Sequence, residues 1–143
     1  MKVFLVILIL GTTIIMTKAN IDSPGKHTPV EYTLSMPDPA SHFYHVKIVI
    51  KNVPSQNKVF ELKMPAWRSG RYLIFDFSGG VQEFTVVNEK GKSLKWEKKD
   101  KDTWLIQRNG NSMTVNYKVF ANDFLSRTRG LDEQHGFINN LAV

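Results

Sequence analysis

The 143-residue chain contains no cysteine. It can therefore form neither a disulfide framework nor a thiolate zinc site, and its stability has to come from apolar burial. An exported protein without disulfides fits a bacterial envelope at least as well as an animal secretion. Asn-x-Ser/Thr glycosylation acceptors are missing as well. So is H-E-x-x-H, the helical spacing that sets two zinc ligands on one face beside a general-base glutamate. There is no G-x-S-x-G nucleophile elbow and no glycine loop of the kind that cradles phosphate; Ser78-Gly79-Gly80 reads as a turn. No segment carries an apolar stripe of period 3.6 long enough for a helix.

The first residues have the layout of a secretory signal peptide. Lys2 precedes an apolar run from Val3 to Met16, then Thr17, Lys18 and Ala19 follow. A bilayer span needs about 20 apolar residues, whereas this run is shorter and interrupted by Gly11, Thr12 and Thr13. Cleavage after Ala19 is expected, with no stable membrane span and a periplasmic or extracellular destination. Residues 1–19 are then the signal, and the remaining 124 suit one domain. The net charge of +6 drops to +4 when Lys2 and Lys18 leave with the signal, too modest to demand a polyanionic partner.

Residues 20–30 are polar and contain Pro24, Gly25 and Pro29, a flexible lead-in. Alternation starts at Glu31. Tyr32, Leu34 and Met36 predict a strand with one buried face, which Pro37 and Pro39 end. Further strands are predicted at Tyr44/Val46/Ile48/Ile50, at Phe60/Leu62/Met64, at Phe84/Val86, at Leu94/Trp96, at Trp104/Ile106 and at Met113/Val115/Tyr117/Val119. Turns punctuate them at Asn52-Val53-Pro54-Ser55, at Asn88-Glu89-Lys90-Gly91, over the charged stretch Glu97 to Asp102, and at the Asn109-Gly110 pair. Seven short strands with turns about every ten residues predict an all-β class, as an antiparallel β-sandwich over 31–143 or alternatively a barrel. Asn122 to Gln134 is a polar, Arg-rich connection, and the halt at Leu141-Ala142-Val143, where another apolar run begins, makes a domain truncated at its C-terminus the expectation.

The residues with chemical potential do not assemble into a centre. His42 and His45 sit three apart on an expected strand, a spacing that sends the rings to opposite faces. Asp132 and His135 share a loop with Ser126 and Thr128, yet nothing marks either hydroxyl as activated, and a loop held by hydrogen bonds is the simpler reading. Lys90, Lys92, Lys95, Lys98, Lys99 and Lys101 interleave with Trp96 and Trp104 in the manner of a single-strand-binding face. Glu89, Glu97, Asp100 and Asp102 reduce that stretch to +2, and both tryptophans share the core-facing register of Leu94 and Ile106. Solvated hairpin turns and no nucleic-acid partner are expected. The densest local feature is 64–77, where aromatic and charged residues crowd a segment that Pro65 and Gly70 keep out of simple strand geometry. From the residues alone, it reads equally as a contact surface or as a crossover packing its aromatics inward.

At this segment the chain resembles the N-terminal domain of the glycyl aminopeptidase family, zinc metallopeptidases of the thermolysin-like clan. The resemblance runs from Tyr32-Thr33-Leu34-Ser35-Met36-Pro37 through Met64-Pro65-Ala66-Trp67, Gly70, Tyr72 and Asp76-Phe77. It continues through Leu94-Lys95-Trp96, Tyr117-Lys118-Val119-Phe120-Ala121, Arg127-Thr128, Leu131-Asp132, His135-Gly136-Phe137 and Asn139. Ser69 replaces the proline of a Trp-x-Pro-Gly element, and Phe75 stands where an arginine is usual, so no role of that arginine carries over. The resemblance implies a non-catalytic β-sandwich that packs on a catalytic domain beyond Val143. That domain would carry H-E-x-x-H, a third ligand and the zinc, so no catalytic residue, metal ligand or cofactor is expected in this chain. Its expected partners are its own downstream catalytic domain and the parent enzyme's peptide substrate. Trp67, Arg71, Tyr72 and Asp76 are the candidate contacts to that domain or its substrate cleft, since aromatic and arginine side chains dominate interface hot spots. A stand-alone envelope β-sandwich that binds a ligand or protein through the same segment is the alternative.

Overall fold

The computed structural model describes residues 29–53, 58–68, 70, 72–124 and 128–139. The expected signal, most of the lead-in, Arg71 and Leu141-Ala142-Val143 lie outside those residues. Within them the chain is all β, with ten strands in three antiparallel sheets and two short 3-10 turns, Pro39–Ser41 and Phe77–Gly80.

The main sheet has the order β1 (Val30–Ser35), β2 (Phe43–Ile50), β7 (Met113–Phe120), β4 (Val81–Asn88). Its apolar face follows from register. Tyr44 stands opposite Val119, Val46 opposite Tyr117, Ile48 opposite Val115 and Ile50 opposite Met113, while Val86 pairs with Val115 from the other side. Strict alternation puts all of them on one side of the pleat, and all are buried. A second sheet, β3 (Val59–Lys63), β6 (Thr103–Gln107), β5 (Trp96–Lys98), closes over this face. The Trp104 ring of β6 stacks on Phe84 of β4, with centroids 4.9 Å apart and planes 11° from parallel. Trp104 and Ile106 join the residues of β2, β4 and β7 in one core. Each such side chain contributes about 1.5–3 kcal/mol on burial, which is how the chain is held without disulfides.

Three expectations are corrected. In β1 every residue is exposed, Tyr32 at 68%, although Tyr32 and Leu34 stand opposite Ile48 and Val46 on the core side. The facing sheet has three strands against four, so the inner side of the edge strand β1 is left uncovered. Trp96 stands opposite the buried Ile106, but β5 is also an edge strand, and the indole is exposed while its edge meets Phe84 at 4.9 Å.

The stretch expected as a polar connection from Asn122 to Gln134 instead carries strands. β8 (Asn122–Asp123), β9 (Arg129–Leu131) and β10 (Gly136–Ile138) make the third sheet, ordered β10-β9-β8. It is fastened to the main sheet by long-range bonds. The Tyr44 hydroxyl donates to Gly130 O at 2.9 Å and to Phe137 O at 3.3 Å, the His42 ring nitrogen Nδ1 meets Leu131 O, and Leu131 N donates to Ala121 O at 2.8 Å. Tyr44, Ala121 and Leu131 form a second small core with Ile138. Gly130 is obligatory here, because a Cβ would lie 2.7 Å from the Phe137 ring and 2.8 Å from Phe124.

Candidate functional site

The crowded segment after β3 leaves sheet geometry at Met64, which is buried and anchored by its N–H to Asp102 O at 2.9 Å. Pro65 prevents continuation of the ladder. The chain then loops outward and returns where Phe75 N donates to Ala66 O at 2.8 Å. That bond closes the base of a loop whose side chains divide by direction. Trp67 is 53% exposed, Tyr72 is wholly exposed, and Leu73 and Ile74 project into solvent beside it.

The opposite side of the loop is tied down. The Arg68 guanidinium lies over the Phe75 ring, 5.3 Å from its centroid. Phe75 in turn stacks on buried Phe77 at 5.0 Å with the planes 3° apart. Asp76 begins the 3-10 turn Phe77–Gly80, and its Oδ1 accepts from Ser78 Oγ and from Gly79 N, both at 3.1 Å. Its carboxylate therefore shapes the base of the loop while remaining exposed. Under the turn runs Arg129 of β9, donating through Nη1 to Phe77 O and through Nε to Phe120 O, each at 2.8 Å. Burial pushes the Arg129 pKa down, and the nearby carboxylates of Asp123 and Asp76 oppose that shift.

Of the four predicted contact residues, the structure thus brings Trp67, Tyr72 and Asp76 onto one loop, and Arg71 lies outside the described residues. Leu73 and Ile74 extend the exposed apolar surface, and Arg68 and Arg129 support it. Exposure of Leu73 and Ile74 had no signal beyond their place between Gly70 and Asp76, because two adjacent apolar residues fit a buried turn equally well.

The remaining candidates have structural explanations. Asp132 Oδ1 accepts from Gln134 N at 2.8 Å and from His135 N at 2.6 Å. These two amides hold the Asp132 carboxyl below the usual carboxylate range. The His135 ring lies 3.5 Å from the same oxygen in an exposed loop, and Thr128 Oγ1 donates to Asp123 Oδ2 at 3.2 Å. His42 and His45 do not meet: His42 follows a 3-10 turn with φ of 59°, while His45 pairs with Ser35 and Lys118 in the main sheet. Lys98 lies over the buried Trp104 ring at 4.6 Å and Lys99 pairs with Glu61 at 3.1 Å, so the lysine-rich hairpins present no aromatic platform at Trp104. Among the described residues no three His, Cys, Asp or Glu side chains are grouped so as to hold a metal ion, and no helix is long and apolar enough to cross a membrane.

Comparison with known proteins identifies what this all-β chain is similar to. No curated protein matches the chain at a significant level. Among solved structures, an aminopeptidase N family protein from Idiomarina loihiensis superposes with a TM-score of 0.72 at 31% identity. The match covers 80% of this chain and 19% of that protein, so the chain spans about a fifth of the relative's length. The peptidase M61 N-terminal domain family matches residues 31–143, beginning at the second residue of β1 and including the loop described above. By that match the chain belongs to the peptidase M61 N-terminal domain family.

Proposed function

We propose that the chain is the non-catalytic N-terminal domain of an exported, zinc-dependent metallo-aminopeptidase, and that it packs on the catalytic domain through the loop bearing Trp67, Arg71, Tyr72 and Asp76. The observation that carries this reading is the division of the loop. Trp67, Tyr72, Leu73 and Ile74 face solvent, while Arg68, Phe75 and Phe77 hold the loop from behind. Apolar side chains on a rigid support are what a desolvated interface uses, since little ordering has to be supplied on association. Membership of a peptidase N-terminal domain family supplies the partner class, and the small share of the Idiomarina protein that the chain covers is consistent with a larger parent.

In this reading the chain supplies no group to peptide hydrolysis. Zinc and H-E-x-x-H belong to the catalytic domain, where the metal would activate water. In this proposal the loop fixes the orientation of the two domains, and Tyr72, the most exposed of the set, is the residue proposed to reach the rim of the substrate cleft. Export follows from Lys2, the run Val3 to Met16 and Ala19, and places the mature N-terminus at Asn20.

The reading frame beyond codon 143 provides the test. Several hundred further residues with H-E-x-x-H are expected, and a stop codon directly after Val143 would refute the assignment. N-terminal sequencing of the exported protein should start at Asn20, and material starting at Met1 would refute export by cleavage.

A further inference from the structure

The exposed loop is held by a chain of contacts that ends in a different sheet. Ala66 and Arg68 engage Phe75, Phe75 stacks on Phe77, and the Phe77 carbonyl accepts from Arg129 of β9. The other arm of the same guanidinium accepts no substitute easily, because it donates to Phe120 O at the end of β7. One planar fork thereby joins the end of the main sheet, the third sheet and the base of the loop. Gly80 is the complement to this arrangement: a Cβ there would lie 2.0 Å from Arg129 Nη2 and 2.8 Å from Cζ.

We propose that Arg129 is the positioning residue of the docking loop, with Gly80 providing the space its guanidinium needs; this rests on the loop being the interdomain surface. Two backbone carbonyls on different elements require donors held at a fixed spacing and direction. Guanidinium provides them from two nitrogens fixed on a rigid plane, whereas lysine's donors all sit on one nitrogen at the end of a flexible stem and do not reproduce that spacing. Asp76 is set by the same support, since the turn it caps is the one whose first carbonyl Arg129 holds. Loss of the fork removes the Arg129 donor from Phe77 O and lets the Phe75–Phe77 stack, and the loop upon it, drift. The core of β2, β7 and β6, which is held by its own apolar packing, stays in place.

Amide hydrogen exchange on the full chain tests the assignment in Arg129→Lys and Gly80→Ala. The first keeps the positive charge, and the second keeps the arginine but displaces it. In both, the amides of Phe75 and Gly79 should exchange about tenfold faster or more, the scale of losing a hydrogen bond to a charged group. The amide of Val115 in the central strand β7 should be unchanged, and the Trp67 indole resonance should shift and broaden. Unaltered exchange at Phe75 and Gly79 overturns the proposal, as does an equal rise at Val115, which would make Arg129 a general stabiliser. Docking is read separately, by binding of each variant to the downstream catalytic domain. A loosened loop with unchanged docking refutes the interface reading while leaving the role of Arg129 intact.

Discussion

Replacing Trp67 by alanine separates an interface tryptophan from a core tryptophan. Burying a whole tryptophan removes roughly 150–250 Å² from water. Trp67 keeps 53% of its surface exposed, so its truncation forfeits about half that burial, about 2–3 kcal/mol as an upper bound at roughly 25 cal/mol per Å². No closed cavity is left behind, because the indole lies on the surface. Trp104 is the internal control. It is 2% exposed and stacked on Phe84, and Trp104→Ala should cost about 3–5 kcal/mol, transfer and cavity together. A domain stabilised by about 5–15 kcal/mol in total tolerates the first change and scarcely the second. Urea unfolding followed by circular dichroism reads both. With slopes of about 1–3 kcal/mol/M, Trp67→Ala should lower the midpoint by less than Trp104→Ala does and leave the slope unaltered. If the proposed interface is right, the same variant should also weaken association with the downstream domain. A loss from Trp67→Ala equal to that from Trp104→Ala would refute the surface assignment.

Other outcomes follow from single contacts. Burial raises the Tyr117 pKa, so the folded state favours the neutral phenol; that stability is complete below the unfolded value near 10 and is lost as pH rises beyond it. Alkaline spectrophotometric titration should therefore show Tyr117 ionising last, with unfolding, and its ionisation near pH 10 in the native state would contradict the packing. Asp132 should titrate below the ordinary carboxylate range by carbon-detected NMR, its contribution present above the unfolded value near 3.9 and lost as pH falls through the lower folded value. A normal titration would show that the Gln134 and His135 amides do not hold it in solution. Gly130→Ala should destabilise the third sheet by about 1–3 kcal/mol through overlap with Phe137 and Phe124, seen as faster amide exchange at Leu131, and wild-type exchange there would argue against the packing. Tyr44→Phe should cost about 1 kcal/mol by removing the hydroxyl's bond to Gly130 O; no loss in urea unfolding would mean that water replaces the hydroxyl.

The strand alternation at Tyr44–Ile50 and Met113–Val119 was legible because each strand is central in its sheet and covered on one side, so period-two apolarity in the sequence translates directly into buried and exposed faces. The all-β class follows from an equally local fact: no segment carries helical periodicity. Family likeness was legible for a related reason, since the motif residues stand in order along the chain. Alternation marks which side of a strand is apolar and is silent on whether another layer covers it. Tyr32 and Trp96 therefore read like Ile48 and Trp104, and their place on the edge strands β1 and β5 decided their exposure. β8, β9 and β10 are too short to show a period, and they are held by partners such as Tyr44, 86 residues from Gly130. The loop at Trp67 was visible as a dense aromatic segment, but whether its side chains turned inward or outward depended on distant residues. Arg129 and Phe77 occupy the inner side of that loop, and this packing leaves Trp67, Tyr72, Leu73 and Ile74 in water.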